Sequence, residues 1–400
     1  MITVKQARDI ILGSIAALPQ ELVCLEDAIG RYLSTDIISN IDIPPWDNSA
    51  MDGYAVHCAD IDDTGKQLKI AYELPAGTTP KGPFGKDQAV RIMTGAPVPP
   101  GTDAVIMREH TSEQDTYIII DKLPKPHQHI RLKGEDIKNG DLVLRKGIRI
   151  GPAQIGILAS LRRILVPCHQ RPAVAILATG DEIADLDEEL SQGKISSSNS
   201  YTLISLVKEL GGIPIYLGVA RDNREDLVEK LSQAKKADLI LTSGGVSMGD
   251  YDIVKEVMSQ GGNAMDFWKV EMKPGKPLAF GKISDIPAIG LPGNPVSTMT
   301  SFYQFARPAI LKLMGANNLL LPAVSAKLVS EIKSTGDRPE YLRGLIEKNG
   351  PELTVTPAGP QGSGILSSLS RANCFILVSK GTTIVHKGKL IDCEIFEGTW

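Results

Sequence analysis

Cysteine is sparse in this chain of 400 residues. The five present (Cys24, Cys58, Cys168, Cys374 and Cys393) are widely scattered, and no two form a C-x-x-C pair. That pattern speaks against a thiolate zinc or iron–sulfur site. It fits buried thiols in a reducing compartment, with the cytoplasm as the simplest home. Positive charge is not in surplus either: the net charge is −4, so the electrostatic footprint of a duplex nucleic-acid binder is missing. Long apolar runs are absent. The longest uncharged stretch, residues 286–306, is broken by Pro287, Pro292, Gly293, Asn294 and Pro295 and is no membrane span. Residues 10–18 follow Lys5 and Arg8 as a signal peptide's apolar core would. Asp9 abuts that run, however, and Val4, Ala7, Ile11, Ile15 and Leu18 fall at helical spacing, so an amphipathic helix is expected. There is no G-x-x-x-x-G-K-[ST], no H-E-x-x-H and no G-x-G-x-x-G opening a helix. Those absences exclude a Walker P-loop, a zinc-protease helix and a dinucleotide Rossmann site. Of six histidines only His127 and His129 lie close together, in a Pro/Lys loop, and they read as solvated.

What is there is a folded, multidomain composition: 42% hydrophobic and 22% charged residues, long enough for roughly two to four domains. Residues 1–40 read as helix and residues 153–163 as a second helix. Between them lie short β-like runs divided by Pro99-Pro100-Gly101 and Asn139-Gly140, which suggests a β lobe inserted into a helical stem. From 171 to about 315 apolar strands alternate with amphipathic helices. Strands are expected at 174–178, 213–218, 239–242, 267–270, 278–280 and 288–291, with helices at 200–210, 224–233, 253–259 and 295–314. Such alternation implies crossover connections and a mostly parallel sheet covered on both faces, a three-layer α/β domain. Beyond 316 only strands remain, expected at 324–329, 341–346, 353–356, 375–378 and 390–396, and they imply a small C-terminal β-barrel or sandwich. The domain reading is therefore a helical stem (1–42 with 146–170), an inserted β lobe (43–145), the α/β domain (171–315) and the C-terminal β-barrel (316–400).

In open α/β sheets ligands collect at the C-terminal ends of strands, so the loops there are the places to look for chemistry. Thr179-Gly180-Asp181-Glu182 ends the first strand with small residues and two carboxylates, a donor set for a hydrated Mg²⁺ on a phosphate; a solvated acidic turn is the alternative. Ser243-Gly244-Gly245-Val246-Ser247 leads into a helix and would cradle an anion. With Met248 and Gly249 it is also a literal G-x-S-x-G, the pattern that holds a nucleophilic serine in α/β-hydrolases. The only later histidine for such a triad is His386. Lys269 precedes Lys273-Pro274-Gly275-Lys276-Pro277, where a rigid bend presents two ammonium groups suited to a tetrahedral oxyanion. Leu291-Pro292-Gly293-Asn294-Pro295-Val296-Ser297 fixes the backbone before the last helix. In the β lobe, Pro45-Trp46-Asp47-Asn48-Ser49-Ala50-Met51-Asp52-Gly53-Tyr54 and Met93-Thr94-Gly95-Ala96-Pro97 are too elaborate for plain connections.

Taken in order, seven stretches resemble the molybdopterin molybdenumtransferase (MoeA-type) family, whose eukaryotic relative is the E-domain of gephyrin. They are Asp47–Ala55, Met93–Pro97, Gly134-Glu135-Asp136, Thr179–Glu182, Ser243–Ser247, Lys273–Pro277 and Leu291–Ser297. The resemblance implies that the α/β domain binds molybdopterin and that the chain inserts molybdate into adenylated molybdopterin, releasing AMP. It implies a homodimer in which Asp52 and Thr94 act across the interface. It places Asp52, Thr94, Asp136, Glu182, Asp222 and Asp252 among the catalytic positions, with Glu182 and Asp252 on Mg²⁺. Thr179, Gly180, Ser243, Gly244, Gly245, Ser247, Pro292, Asn294 and Lys269 would hold the pterin nucleotide. Lys273, Lys276, Ser297, Arg343 and Ser363 would hold molybdate.

Trp46 stands where the family often has Phe, and Ile253 where an aromatic is common. No fused adenylyltransferase domain is expected, so a separate molybdopterin adenylyltransferase would supply the substrate, and molybdoenzymes or their chaperones would receive the product. A molybdopterin adenylyltransferase, a non-catalytic cofactor carrier or scaffold, and a serine hydrolase on Ser247 are the competing readings. The inserted lobe and barrel argue against the first, and the acidic and lysine positions against the second.

Overall fold

In the computed structural model, described for residues 1–245 and 264–396, the chain divides into two compact units. One comprises Met1–Ser34, Gly147–Gly151 and the chain from Leu165 onward; the other comprises Thr35–Lys146 and Pro152–Ile164.

The first unit is built on a six-stranded sheet in the order Ile213–Ala220, Ala173–Thr179, Leu239–Ser243, Ile286–Leu291, Pro277–Ile283 and Ala264–Lys269. The first four strands run parallel, and the last two pair antiparallel. Every residue of Val174–Thr179 is buried, as an apolar run covered on both sheet faces must be. Helices Ser198–Glu209 and Pro295–Ser301 contribute to one face, and helix Arg224–Ser232 covers the other. The alternation read from 171 to 315 is therefore present, with strand ends shifted by a few residues; the expected helix at 253–259, Ser247 and Asp252 lie outside the described residues.

The C-terminal strands Ala323–Leu328, Glu352–Pro357, Glu340–Asn349, Cys374–Val378 and Leu390–Ile395 close into a five-stranded barrel. Its interior is filled by residues such as Ala326, Leu342, Ile346, Val355, Ile376 and Cys393. Tyr341, Phe375 and Phe396 instead join the core of the α/β sheet, where Tyr303 stacks on Phe396 with ring centroids 4.8 Å apart. The barrel thus keeps its own interior and adds a few residues to the core of the sheet.

The N-terminal stretch differs from the expectation of helix to about residue 40. Helix spans only Val4–Gly13. Thr3 and Gln6 form a reciprocal capping box at its start, and Ala7, Ile11 and Ile15 enter the core of the sheet. Beyond it, Gln20–Cys24 is a strand paired antiparallel with Leu165–His169. Strand pairing outweighs the weak helical pattern after Pro19, and the second helix is correspondingly shorter, Pro152–Ser160.

A proline fixes how the first helix is held. In the segment Pro295–Leu313 the α-helix is interrupted by a π-helical turn, Phe302–Ala306, followed by Arg307–Leu313. Pro308 has no N–H to offer the carbonyl four residues earlier. That carbonyl, of Gln304, accepts instead from Arg8 Nε at 3.2 Å, and Gln304 Oε1 accepts from Arg8 Nη2 at 2.5 Å. Gln304 Nε2 then donates to Glu394 Oε2 of the barrel at 2.5 Å.

The second unit carries a six-stranded mixed sheet: Ala104–Met107, Gly53–Val56, Gln88–Ile92, Gln67–Leu74, Tyr117–Ile120 and Thr111–Gln114. Its two faces bury separate clusters, one around Tyr54, Leu68 and Ile118 and one around Leu74, Val90 and Ile92.

Candidate active site

Three loops meet at the C-terminal ends of the parallel strands. Gly244 has φ +97°, and a Cβ there would lie 2.7 Å from the Thr179 carbonyl oxygen and 2.8 Å from Thr179 Oγ1. Only glycine fits that approach. Gly244 N–H donates to the Leu291 carbonyl at 3.1 Å, joining the second loop to the third. Asn199, at the start of helix Ser198–Glu209, bridges the same two loops: its Nδ2 donates to Ser243 Oγ at 2.9 Å and to the Gly293 carbonyl at 2.7 Å. The residues around Thr179, Gly180, Ser243, Gly244, Gly245, Pro292 and Asn294 are therefore one surface. Thr179 Oγ1 and Thr242 Oγ1 are buried there with no hydrogen-bond partner among the described residues.

The acidic rim is adjacent in the chain. Asp181 and Asp222 cap each other: Asp181 N–H donates to Asp222 Oδ2 at 3.3 Å, and Asp222 N–H donates to Asp181 Oδ1 at 3.1 Å. Glu182 is exposed and folds over Gly180, where a Cβ would lie 2.6 Å from Glu182 Oε2. Among the described residues no three His, Cys, Asp or Glu side chains form a metal-binding group.

Lys273, Lys276, Ser297, Arg343 and Ser363 all line a single cleft of about 600 Å³. Lys273 Nζ donates to Glu340 Oε1 at 3.1 Å and to Thr335 Oγ1 at 3.4 Å, and Lys276 is exposed. Ser297 lies in the first turns of helix Pro295–Ser301, one residue beyond Val296, whose N–H donates to the Ser363 carbonyl at 3.1 Å.

Arg343 has 0% exposure and makes its hydrogen bonds to the loop beside it. Its Nη2 donates to the carbonyls of Pro360 (2.9 Å) and Gly362 (3.1 Å), Nη1 to that of Gln361 (3.2 Å), and Nε to Ser368 Oγ (3.0 Å). Burial pushes its guanidinium down to about 10, so it stays charged at neutral pH. The guanidinium fixes the wall that carries Ser363. Lys269 ends its strand with an exposed side chain and is not among the cleft residues; its carbonyl accepts from Ile2 N–H at 3.0 Å.

In the second unit Asp52 and Thr94 come together. Thr94 N–H and Thr94 Oγ1 both donate to Asp52 Oδ1, each at 2.7 Å. These bonds, the backbone one foremost, hold the Asp52 carboxyl below its ordinary value. Gly53 is required beside it, since a Cβ would lie 1.9 Å from the Ile106 carbonyl oxygen. Asp136 is exposed, and its N–H donates to the Ile43 carbonyl at 3.1 Å.

Sequence reasoning did not single out Asn199 or Glu340. A Ser-Ser-Ser-Asn-Ser run at a helix start was the available signal for the first. For the second it was the charged pair Glu340 and Arg343 at the start of strand Glu340–Asn349.

Comparison with known proteins places these loops in a family. Residues 2–161 match the MoeA N-terminal region (domain I and II), 175–312 a probable molybdopterin binding domain, and 325–396 the MoeA C-terminal region (domain IV). A Haemophilus influenzae protein named molybdopterin molybdenumtransferase is 40% identical over 402 residues, covering 99% of each chain. The chain belongs to the MoeA family.

A Nostoc relative of the same name is 38% identical, over 92% of this chain and 87% of its own. The crystal structure of a molybdopterin biosynthesis MoeA protein from Pyrococcus horikoshii superimposes with a TM-score of 0.86 at 31% identity, covering 99% of this chain and 100% of that one. The cleft draws on two of the matched regions: Lys273, Lys276 and Ser297 fall in the probable molybdopterin binding domain, and Arg343 and Ser363 in the MoeA C-terminal region.

Proposed function

We propose that this MoeA-family chain is a molybdopterin molybdenumtransferase: it inserts molybdate into adenylated molybdopterin and releases AMP. The observation that carries this is the single cleft lined by Lys273, Lys276, Ser297, Arg343 and Ser363. Two ammonium groups and a serine hydroxyl, on a wall locked by a buried guanidinium, suit a tetrahedral dianion.

The pterin nucleotide lies over the glycine loop, where Gly244 permits close backbone approach. Ser243 and Asn294 border the same surface; Ser247, assigned to the same ligand, lies outside the described residues. The described carboxylates are too few for an all-protein cation cage and fit Mg²⁺ carried in on substrate phosphates, with Glu182 and Asp222 as its protein contacts and Asp252 as a further candidate. Bound there, Mg²⁺ would neutralise charge developing on the pyrophosphate as its P–O bond breaks. Asp52, ionised and pinned by Thr94, and Asp136 are assigned to the insertion step.

The working form is a homodimer in the cytoplasm, a reading that rests on the seven-motif resemblance and the scattered thiols. No helix among the described residues is long and apolar enough to cross a membrane. A molybdopterin adenylyltransferase supplies the substrate, and molybdoenzymes or their chaperones take the product.

The test is AMP release from purified adenylated molybdopterin, with and without molybdate and Mg²⁺. Release that depends on molybdate, with molybdenum retained on the pterin, is the expected result. Tight binding without release would instead indicate a cofactor carrier.

A further inference from the structure

Lys273 and Lys276 flank the same bend but are held differently. Lys276 is exposed, and no hydrogen bond restrains its ammonium group among the described residues. Lys273 is fixed at both ends. Its backbone is bracketed by the barrel, with Lys273 N–H donating to the Pro339 carbonyl at 2.9 Å and Tyr341 N–H donating to the Lys273 carbonyl at 2.8 Å. Its ammonium group is held by Glu340 and Thr335.

Glu340 has only 3% exposure, and all the donors recorded for it converge on one oxygen. Oε1 accepts from Ser334 Oγ (2.8 Å) and Thr335 N–H (3.3 Å) besides Lys273 Nζ, while the Thr335 hydroxyl gives its one proton to Asp337 Oδ1. Those donors outweigh the cost of burial and hold its carboxyl below the ordinary value. A buried carboxylate needs such partners, and here one positive charge and two neutral donors converge on a single oxygen. It fixes where the ammonium group sits.

We infer that Glu340 is the positioning residue for Lys273: it aims one ammonium group of the cleft at the incoming oxyanion, so that this lysine is ordered before molybdate arrives. The inference rests on the transferase reading given above. Two effects of Glu340 oppose each other. Its negative charge near an anion site weakens binding, whereas ordering a long, rotamer-rich side chain in advance strengthens it. The exposures decide between them. The Lys273 side chain is 41% exposed and the Glu340 side chain 4%, so an anion entering from solvent meets the lysine while the carboxylate stays held in the wall. Carboxylates that hydrogen-bond and orient metal-ligating histidines work on the same principle.

The experiment is a double-mutant cycle with Glu340→Gln, Lys273→Ala and the pair, in the full-length protein. It reads the half-saturating molybdate concentration and the maximal rate of AMP release, alongside calorimetric molybdate binding without pterin. Glu340→Gln is expected to raise the half-saturating concentration about 3- to 10-fold with little change in maximal rate, the size of one weakened charge-assisted bond. In the Lys273→Ala background the same change should add less than about twofold, because contacting residues that act as a unit are not additive. Unchanged or tighter molybdate binding in Glu340→Gln, or independent effects in the pair, would overturn the inference. Should Glu340→Gln fold poorly, Ser334→Ala removes one donor and keeps the carboxylate; it should weaken molybdate binding in the same direction, and no change would count against Glu340. Wild-type protein that releases no AMP would defeat the transferase reading, while calorimetric molybdate binding would still decide the role of Glu340.

Discussion

Thr94 binds one oxygen of Asp52 twice, through its N–H and its hydroxyl, at 2.7 Å each. Two donors from one residue give the carboxylate a fixed plane and keep it ionised. The folded-state value lies below the ordinary one, so any stabilisation from this pair is present above the unfolded carboxylate range and is lost as pH falls through the folded value. Replacing Thr94 by Val removes the hydroxyl and keeps the larger backbone contribution. The Asp52 titration midpoint, followed by carboxyl-carbon NMR, should move up but stay below that of a free aspartate. A midpoint that does not move would mean that the hydroxyl bond is absent in solution.

Asp52→Ala and Glu182→Ala should give folded protein that binds adenylated molybdopterin and fails at metal insertion, since both side chains are exposed and neither supports a core. Pterin binding and AMP release, measured on the same preparation, separate the two steps. Full insertion activity in either variant would remove that residue from the mechanism.

The α/β half of the site was readable in advance because its signals are local. Continuous apolar strands force a covered sheet, and a sheet's carboxyl ends gather loops, so Thr179, Ser243 and Asn294 were legible as neighbours. Arg343 was reached only through the family resemblance, and its burial beneath the carbonyls of Pro360, Gln361 and Gly362 depends on barrel closure, which no local pattern encodes. Glu340 was missed for the same reason: its partner Lys273 lies on another domain, 67 residues away in sequence. The stem was over-read as helix because Gln20–Cys24 becomes a strand only through pairing with Leu165–His169.

Arg343→Lys should be costly. A lysine cannot serve three carbonyls and a hydroxyl arranged for a planar fork, and each buried acceptor left unpaired costs about 1–3 kcal/mol. Denaturant unfolding should show a loss of about 2–4 kcal/mol. A stability within experimental error of wild type would show that the 360–362 loop holds its shape unaided.

Lys276→Ala should leave stability unchanged, because the side chain is exposed, and raise the half-saturating molybdate concentration about 10-fold or more, the value of a lost bond to a charged group. An unchanged molybdate dependence would take Lys276 out of the oxyanion site.

Arg8→Ala strands the carbonyl of Gln304 that Pro308 leaves without its helical donor. A loss of about 1–3 kcal/mol is expected for that orphaned acceptor, visible as a lower thermal midpoint. If the midpoint holds, water satisfies the carbonyl.

The first compact unit is interrupted in sequence by the second, and this sets an order of events at the ribosome. Ala7 and Ile11 precede the residues that share their cluster, Val270, Met272 and Phe305, by some 260 to 300 positions, roughly 15–60 s at typical elongation rates. Throughout that interval the 35–146 segment can complete its own sheet while the leading helix has no core to enter. The apolar face of helix Val4–Gly13 therefore stays uncovered long after the 35–146 segment has its own partners in hand.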